Sequence, residues 1–72
     1  MHKKDYVAVA QAIKAERDIY LAFSPKNKKL AQVSIEALDS LAIRLAYMFE
    51  QDNLHFVRSR FLLACGFKQE DV

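Results

Sequence analysis

Between Leu30 and Asp52 apolar residues recur three and four positions apart, with no Gly or Pro among them. The series is Leu30, Ala31, Ile35, Leu38, Leu41, Ala42, Leu45, Met48 and Phe49. This is the helical period with a wide apolar stripe. At about 1.5 Å per residue such a helix is roughly 34 Å long, while a compact chain of this size has a radius of gyration of about 11 Å. The spacing therefore predicts a long central helix against which the rest of the chain folds.

The same period precedes it. From Tyr6 to about Phe23, one face holds Tyr6, Val9, Ala10, Ile13, Tyr20 and Leu21, with Arg17 in its middle. Asp5 is predicted to cap this first helix. Arg17 has two readings: its stem lies on the core while its head reaches water, or it is presented to a partner. Ser24-Pro25 marks the next boundary, because Ser caps well and Pro is favoured at the first helical position. The second helix thus starts at Pro25 or at Leu30. Asp52 and Asn53 end it, and Leu54 to Phe56 form the connection. A third helix is predicted over Arg58 to Cys65, with Phe61, Leu62 and Cys65 inward and Gly66 just past its end. Phe56 and Phe61 have the spacing of a hydrophobic staple. Lys68 to Val72 reads as a polar, frayed end. The fold class is all-α: a small three-helix protein, helix 1 antiparallel to the central helix and a short C-terminal helix closing it.

Composition narrows the picture. The 72 residues are read as a single helical domain, 1–72, of a size that buries only about 60% of its unfolded surface. Cys65 is the only cysteine, so neither a disulfide nor a zinc framework supports the core, and a reducing compartment is implied. A hydrophobic content of 53% is too high for disorder and high for a small monomer. It predicts a partner, either another protein or a second copy. A net charge of +2 is too mild to argue nucleic acid by itself. No apolar run approaches the ~18 residues of a membrane span. MHKKDYV has basic residues without a following apolar region, so no signal peptide is read. The expectation is a soluble, cytoplasmic protein.

Catalytic chemistry finds little to work with. His2 and His55 are the only histidines and lack a second ligand at metal spacing. Cys65 could pair with His55 as nucleophile and base, but its place on an apolar face suits an inert core thiol. Glu36 with Asp39, and Glu50 with Asp52, are carboxylate pairs on or beside a solvated face, and Gly66 is the only glycine, so no phosphate loop exists. The chain is read as a non-enzyme with no cofactor and no metal. Lys26, Lys28 and Lys29 put positive charge at the start of helix 2, where they either weaken its first turn or hold an anion. Arg58 and Arg60, with His55 before them, resemble the start of a recognition helix. The acids of the central helix oppose that, so any nucleic-acid binding is expected to be weak. One anomaly remains: Ile43 and Tyr47 sit one turn apart on the polar face, ringed by Glu36, Asp39 and Glu50. They read as the centre and rim of a contact patch, or as residues covered by a neighbouring helix.

The segments KKDYVAVAQAI and DNLHFVRSRFLLACGF resemble a family of short proteins carried by phages and other mobile elements. Its members open on Lys-Lys-x-Tyr and end in Asp-Asn-Pro-Arg-Phe-Asp-Arg-x-Arg-Phe-Leu-x-Ala-Cys-Gly. Asp52, Asn53, Phe56, Arg58, Arg60, Phe61, Leu62, Ala64, Cys65 and Gly66 match that ending. Leu54, His55 and Val57 depart from it. Val57 stands where the family has an Asp able to cap helix 3, and losing that cap should cost about 1 kcal/mol. The resemblance implies a setting: small phage accessory proteins commonly bind and block host proteins, including CRISPR and other defence systems. The leading expectation is therefore a phage accessory protein that inhibits a host defence or nucleic-acid-handling complex by binding it in the host cytoplasm. The alternatives are a small DNA-binding regulator using Arg58 and Arg60, and a structural homo-oligomer.

Overall fold

The computed structural model describes Met1–Val72 and is entirely helical: α1 (Lys3–Phe23), α2 (Lys28–Asp52), α3 (Arg58–Ala64) and a single 3-10 turn at Gln69–Asp71. The Tyr6 ring lies 4.9 Å from that of Phe49, and Arg17 reaches Asp39. The start of α1 therefore meets the end of α2, so the two helices run in opposite directions. The α3 helix packs against both.

Each boundary has a local cause, and two helix starts differ from the sequence reading; α3 also stops at Ala64 with Cys65 as its cap residue, and the end expected to fray closes a 3-10 turn in which the Asp71 N–H donates to the Lys68 carbonyl at 3.0 Å. The first helix begins at Lys3, upstream of the expected cap at Asp5. Asp5 instead lies three residues inside, and its carboxylate reaches back to accept the His2 N–H at 2.9 Å. That contact satisfies an orphan donor from within the first turn. The second helix begins at Lys28, at neither Pro25 nor Leu30. Ser24-Pro25 belongs to the exit of α1, because Pro25 has no N–H with which to extend the ladder. Asn27 then caps α2, its side-chain oxygen accepting the Leu30 N–H at 3.1 Å.

At α3 the missing cap is visible: Val57 makes no side-chain hydrogen bond at the N-terminus. The staple takes over, with the Phe56 and Phe61 rings 5.6 Å apart. At its other end, Gly66 adopts φ +103°. The Gly66 N–H donates to the Leu63 carbonyl and the Phe67 N–H to the Leu62 carbonyl, the paired bonds of a Schellman ending. A Cβ on Gly66 would also come within 3.1 Å of an Arg17 guanidinium nitrogen. Backbone geometry and space thus both call for glycine.

The core is narrow. Tyr6, Ala10 and Ile13 of α1 meet Ala42, Ala46 and Phe49 of α2 and Phe61, Leu62 and Cys65 of α3. Alanines at the contact let the helix axes approach closely, so the buried strip of α2 is thinner than its apolar stripe. Leu30, Leu41 and Met48 stay about half exposed. Spacing alone puts Tyr20 and Leu21 on the inner face of α1, yet Leu21 is 49% exposed. The α1–α2 hairpin there extends beyond seven-residue α3, so only α1 and α2 shelter each other, burying Ala31 and leaving Leu21 open.

Candidate protein-binding surface

Ile43 and Tyr47 lie one turn apart on α2, 42% and 51% exposed. With Ser40, Arg44, Met48 and Gln51 they line a shallow groove of about 410 Å³. The tight connection after Asp52 returns the chain toward α2, so Arg58, the first residue of α3, lands on Tyr47. Its guanidinium carbon sits 4.3 Å above the ring centroid, a cation–π distance. The same guanidinium is 3.7 Å from the Glu50 carboxylate. Tyr47 is thus held in place while half of it faces solvent.

The acidic rim expected around this pair is largely satisfied inside the chain. Asp39 takes two hydrogen bonds from Arg17, from Nε at 2.6 Å and from Nη2 at 3.2 Å. It belongs to the packing between α1 and α2, and Arg17 counters its charge. Glu50 is countered by Arg58. Glu36 remains exposed, hydrogen-bonded only by Gln32 at 3.3 Å, and Arg44 adds a positive charge to the groove. The patch is therefore mixed in sign, and a strongly basic partner is not what it selects.

Arg17 corrects both readings offered for it. It neither reaches free into water nor faces a partner. Besides Asp39, it donates from Nη1 to the Gly66 carbonyl at 3.1 Å and lies 5.2 Å from the Phe67 ring centroid. One side chain from α1 ties α2 to the end of α3. The hydrogen bonds to Asp39 raise its pKa above the usual arginine value, against the opposing effect of burial.

The basic residues do not form one surface. Arg58 is turned toward Tyr47 and Glu50, whereas Arg60 lines a different groove of about 320 Å³ with Lys3, Tyr6 and His55. Two residues apart on a helix, they are about 160° apart around it. The recognition-helix arrangement needs them together on one exposed face, and they are not. Lys26, Lys28 and Lys29 are exposed in the turn into α2, and Asn27 already occupies one of the helix-end donors they surround. The Tyr6 hydroxyl is buried without a partner.

Cys65 is fully buried, while His55 is exposed in the α2–α3 connection, so they form no nucleophile–base pair. Burial pushes the Cys65 thiol up to about 11, only partly offset by the nearby Arg17 charge. A thiol that holds its proton more tightly when folded stabilises the fold fully below its ordinary pKa near 9. That contribution is lost as pH rises through about 11. Its full size is about 3 kcal/mol. Stability measured by urea unfolding should therefore fall between pH 9 and 11, and Cys65→Ala should flatten that fall. A thiol reagent that modifies the native protein as fast as the unfolded one would contradict this burial.

No three His, Cys, Asp or Glu side chains gather in a way that could hold a metal ion. No helix is long and apolar enough to cross a membrane. No family model, curated protein or solved structure matches the chain.

The Tyr47–Arg58 stack is not legible from spacing, since it joins two helices through an irregular connection. Arg17–Asp39 does leave a trace: a cation in the middle of one apolar face and an anion at the edge of the face opposite.

Proposed function

We propose that the chain acts by binding a protein, not by catalysis. In this reading it is a phage or mobile-element accessory protein that occupies a host protein of the defence or nucleic-acid-handling kind. The central helix α2 is the platform, and Ile43, Tyr47 and Arg58 are the contact. One observation carries the choice of surface: Tyr47 is half exposed yet fixed by Arg58 above its ring. Tyr and Arg dominate binding hot spots, and a side chain already ordered loses little entropy on contact. The phage setting rests on the resemblance of the terminal segments alone. Arg58 and Arg60 diverge around α3, which disfavours a DNA-binding regulator.

The test compares the wild-type chain with the Tyr47→Ala, Ile43→Ser double variant, each immobilised against host lysate, with helicity checked by circular dichroism. A host protein retained by the wild type should be lost from the variant. Truncating Tyr47 alone should weaken binding by about 2 kcal/mol, roughly 30-fold. Equal retention by both chains, each correctly folded, would mean that the contact lies elsewhere. Collapse of the fold would mean that these residues serve the core.

A further inference from the structure

The chain exposes more surface than its mass calls for. Its accessible area is 5375 Å², whereas a folded monomer of 8.3 kDa exposes about 4,600 Å². The excess, roughly 800 Å², is what one partner buries in an interface of standard size, also about 800 Å². Much of the exposed surface is apolar. Leu30, Val33, Leu41 and Met48 of α2 are 48–57% exposed.

Three of these, Leu30, Leu41 and Met48, are not scattered, and Val33 lies beside them. Leu30, Ser34, Ala37, Leu41, Arg44 and Met48 follow one another at alternating steps of four and three, the heptad spacing of a helix–helix seam. Ala37 is exposed as well, and neither α1 nor α3 covers this side. No acid lies on the seam. Its sequence of sizes is also complementary to itself when reversed. Leu30 then faces Met48 of the second copy, Ser34 faces Arg44, and Ala37 faces Leu41. Large residues oppose small ones in the two inner pairs, as interdigitation requires.

We propose that a second copy of this chain covers the Leu30–Met48 side of α2, the two α2 helices packing antiparallel. Charge fixes the direction. In a parallel pair in register, the two Arg44 side chains would face each other. In the antiparallel pair they stand about 15 Å apart along the seam, beyond the ~8 Å screening length at physiological salt. The seam shares Arg44 and Met48 with the edge of the groove beside Tyr47, but the centres of the two surfaces differ. Leu41 and Ile43 lie about 160° apart around the helix, so the dimer and the host contact can be disrupted separately.

Sedimentation equilibrium of the purified full chain should give a dimer at micromolar concentration. Leu41→Arg places an unpaired charge in the seam and should weaken the dimer roughly 100-fold, while Ile43→Ser should leave it intact. A second experiment does not depend on the arginine variant folding. Chains carrying Ala37→Cys are mixed with chains carrying Leu41→Cys and oxidised gently. The two should cross-link to each other and neither to itself; buried Cys65 does not compete. Three results would each overturn the proposal. They are a wild type that stays monomeric at millimolar concentration, a folded Leu41→Arg chain that dimerises normally, and Ala37→Cys chains that cross-link among themselves.

Discussion

Phe49→Ala should remove about 3–5 kcal/mol of stability, the usual loss for deleting a buried aromatic. Phe49 is the hub of the aromatic cluster, with ring centroids 4.9 Å from Tyr6, 5.6 Å from Phe56 and 5.5 Å from Phe61. Those three side chains come from α1, the α2–α3 connection and α3, so one ring touches every packed segment. Tilted and edge-on pairs of this kind add about 0.5–1.5 kcal/mol beyond the area they bury. A chain of 72 residues has about 10 kcal/mol to lose at most, taking up to ~0.15 kcal/mol per residue. The variant should thus lose roughly a third to a half of that, or more, and unfold at a markedly lower urea concentration. Urea unfolding followed by far-UV circular dichroism, at one fixed protein concentration, measures the loss. Ile43→Ser, on the exposed side of the same helix, is the control and should stay within about 0.5 kcal/mol of wild type. A loss under about 1 kcal/mol for Phe49→Ala, well short of the usual range, would mean that the aromatic cluster does not organise this core.

The helices are legible because their period is local. Three and four steps of apolar residues, with no breaker between, define α2 whatever surrounds it, and Gly66 and the Phe56–Phe61 spacing locate α3 in the same way. Boundaries are less legible where two capping signals compete within a few residues. Ser24-Pro25 and Asn27 both suit a helix start, and the choice depends on how α1 ends. The width of the core is the larger difference. A wheel shows which residues could be buried, but only the neighbouring helices decide which are. With alanines bringing those neighbours close and α3 only seven residues long, Leu30, Leu41 and Met48 are left outside. The candidate contact is half legible. Ile43 and Tyr47 stand out on a polar face, but Arg58 joins them through a turn of the chain, and Asp39 leaves them for Arg17. Those partners are set by tertiary packing, which no one-helix pattern contains.

Arg17→Ala should cost about 2 kcal/mol, and the reason lies in what it leaves behind. Arg17 is 15% exposed and Asp39 29%, so the pair is sheltered without being dry. Screening reduces its value below the roughly 3–5 kcal/mol lost when a fully buried pair is broken. Its geometry works the other way. Two guanidinium nitrogens grip one carboxylate while a third holds the Gly66 carbonyl. Removing the arginine strips all three acceptors of their charged donor at once. Arg17→Lys is the more telling substitution. It keeps the charge and most of the stem, but a lysine cannot present a planar fork to two oxygens and a third acceptor. If the fork matters, Arg17→Lys should lose more than half of what Arg17→Ala loses. A double-mutant cycle with Asp39→Ala separates the ion pair from the hold on α3. The coupling energy between Arg17 and Asp39 should come out near ~1 kcal/mol. The remainder of the Arg17→Ala loss should persist in the Asp39→Ala background, because Gly66 and Phe67 still depend on the guanidinium there. A remainder of zero would make Arg17 an ion-pair partner only and leave the end of α3 held by its own Schellman turn.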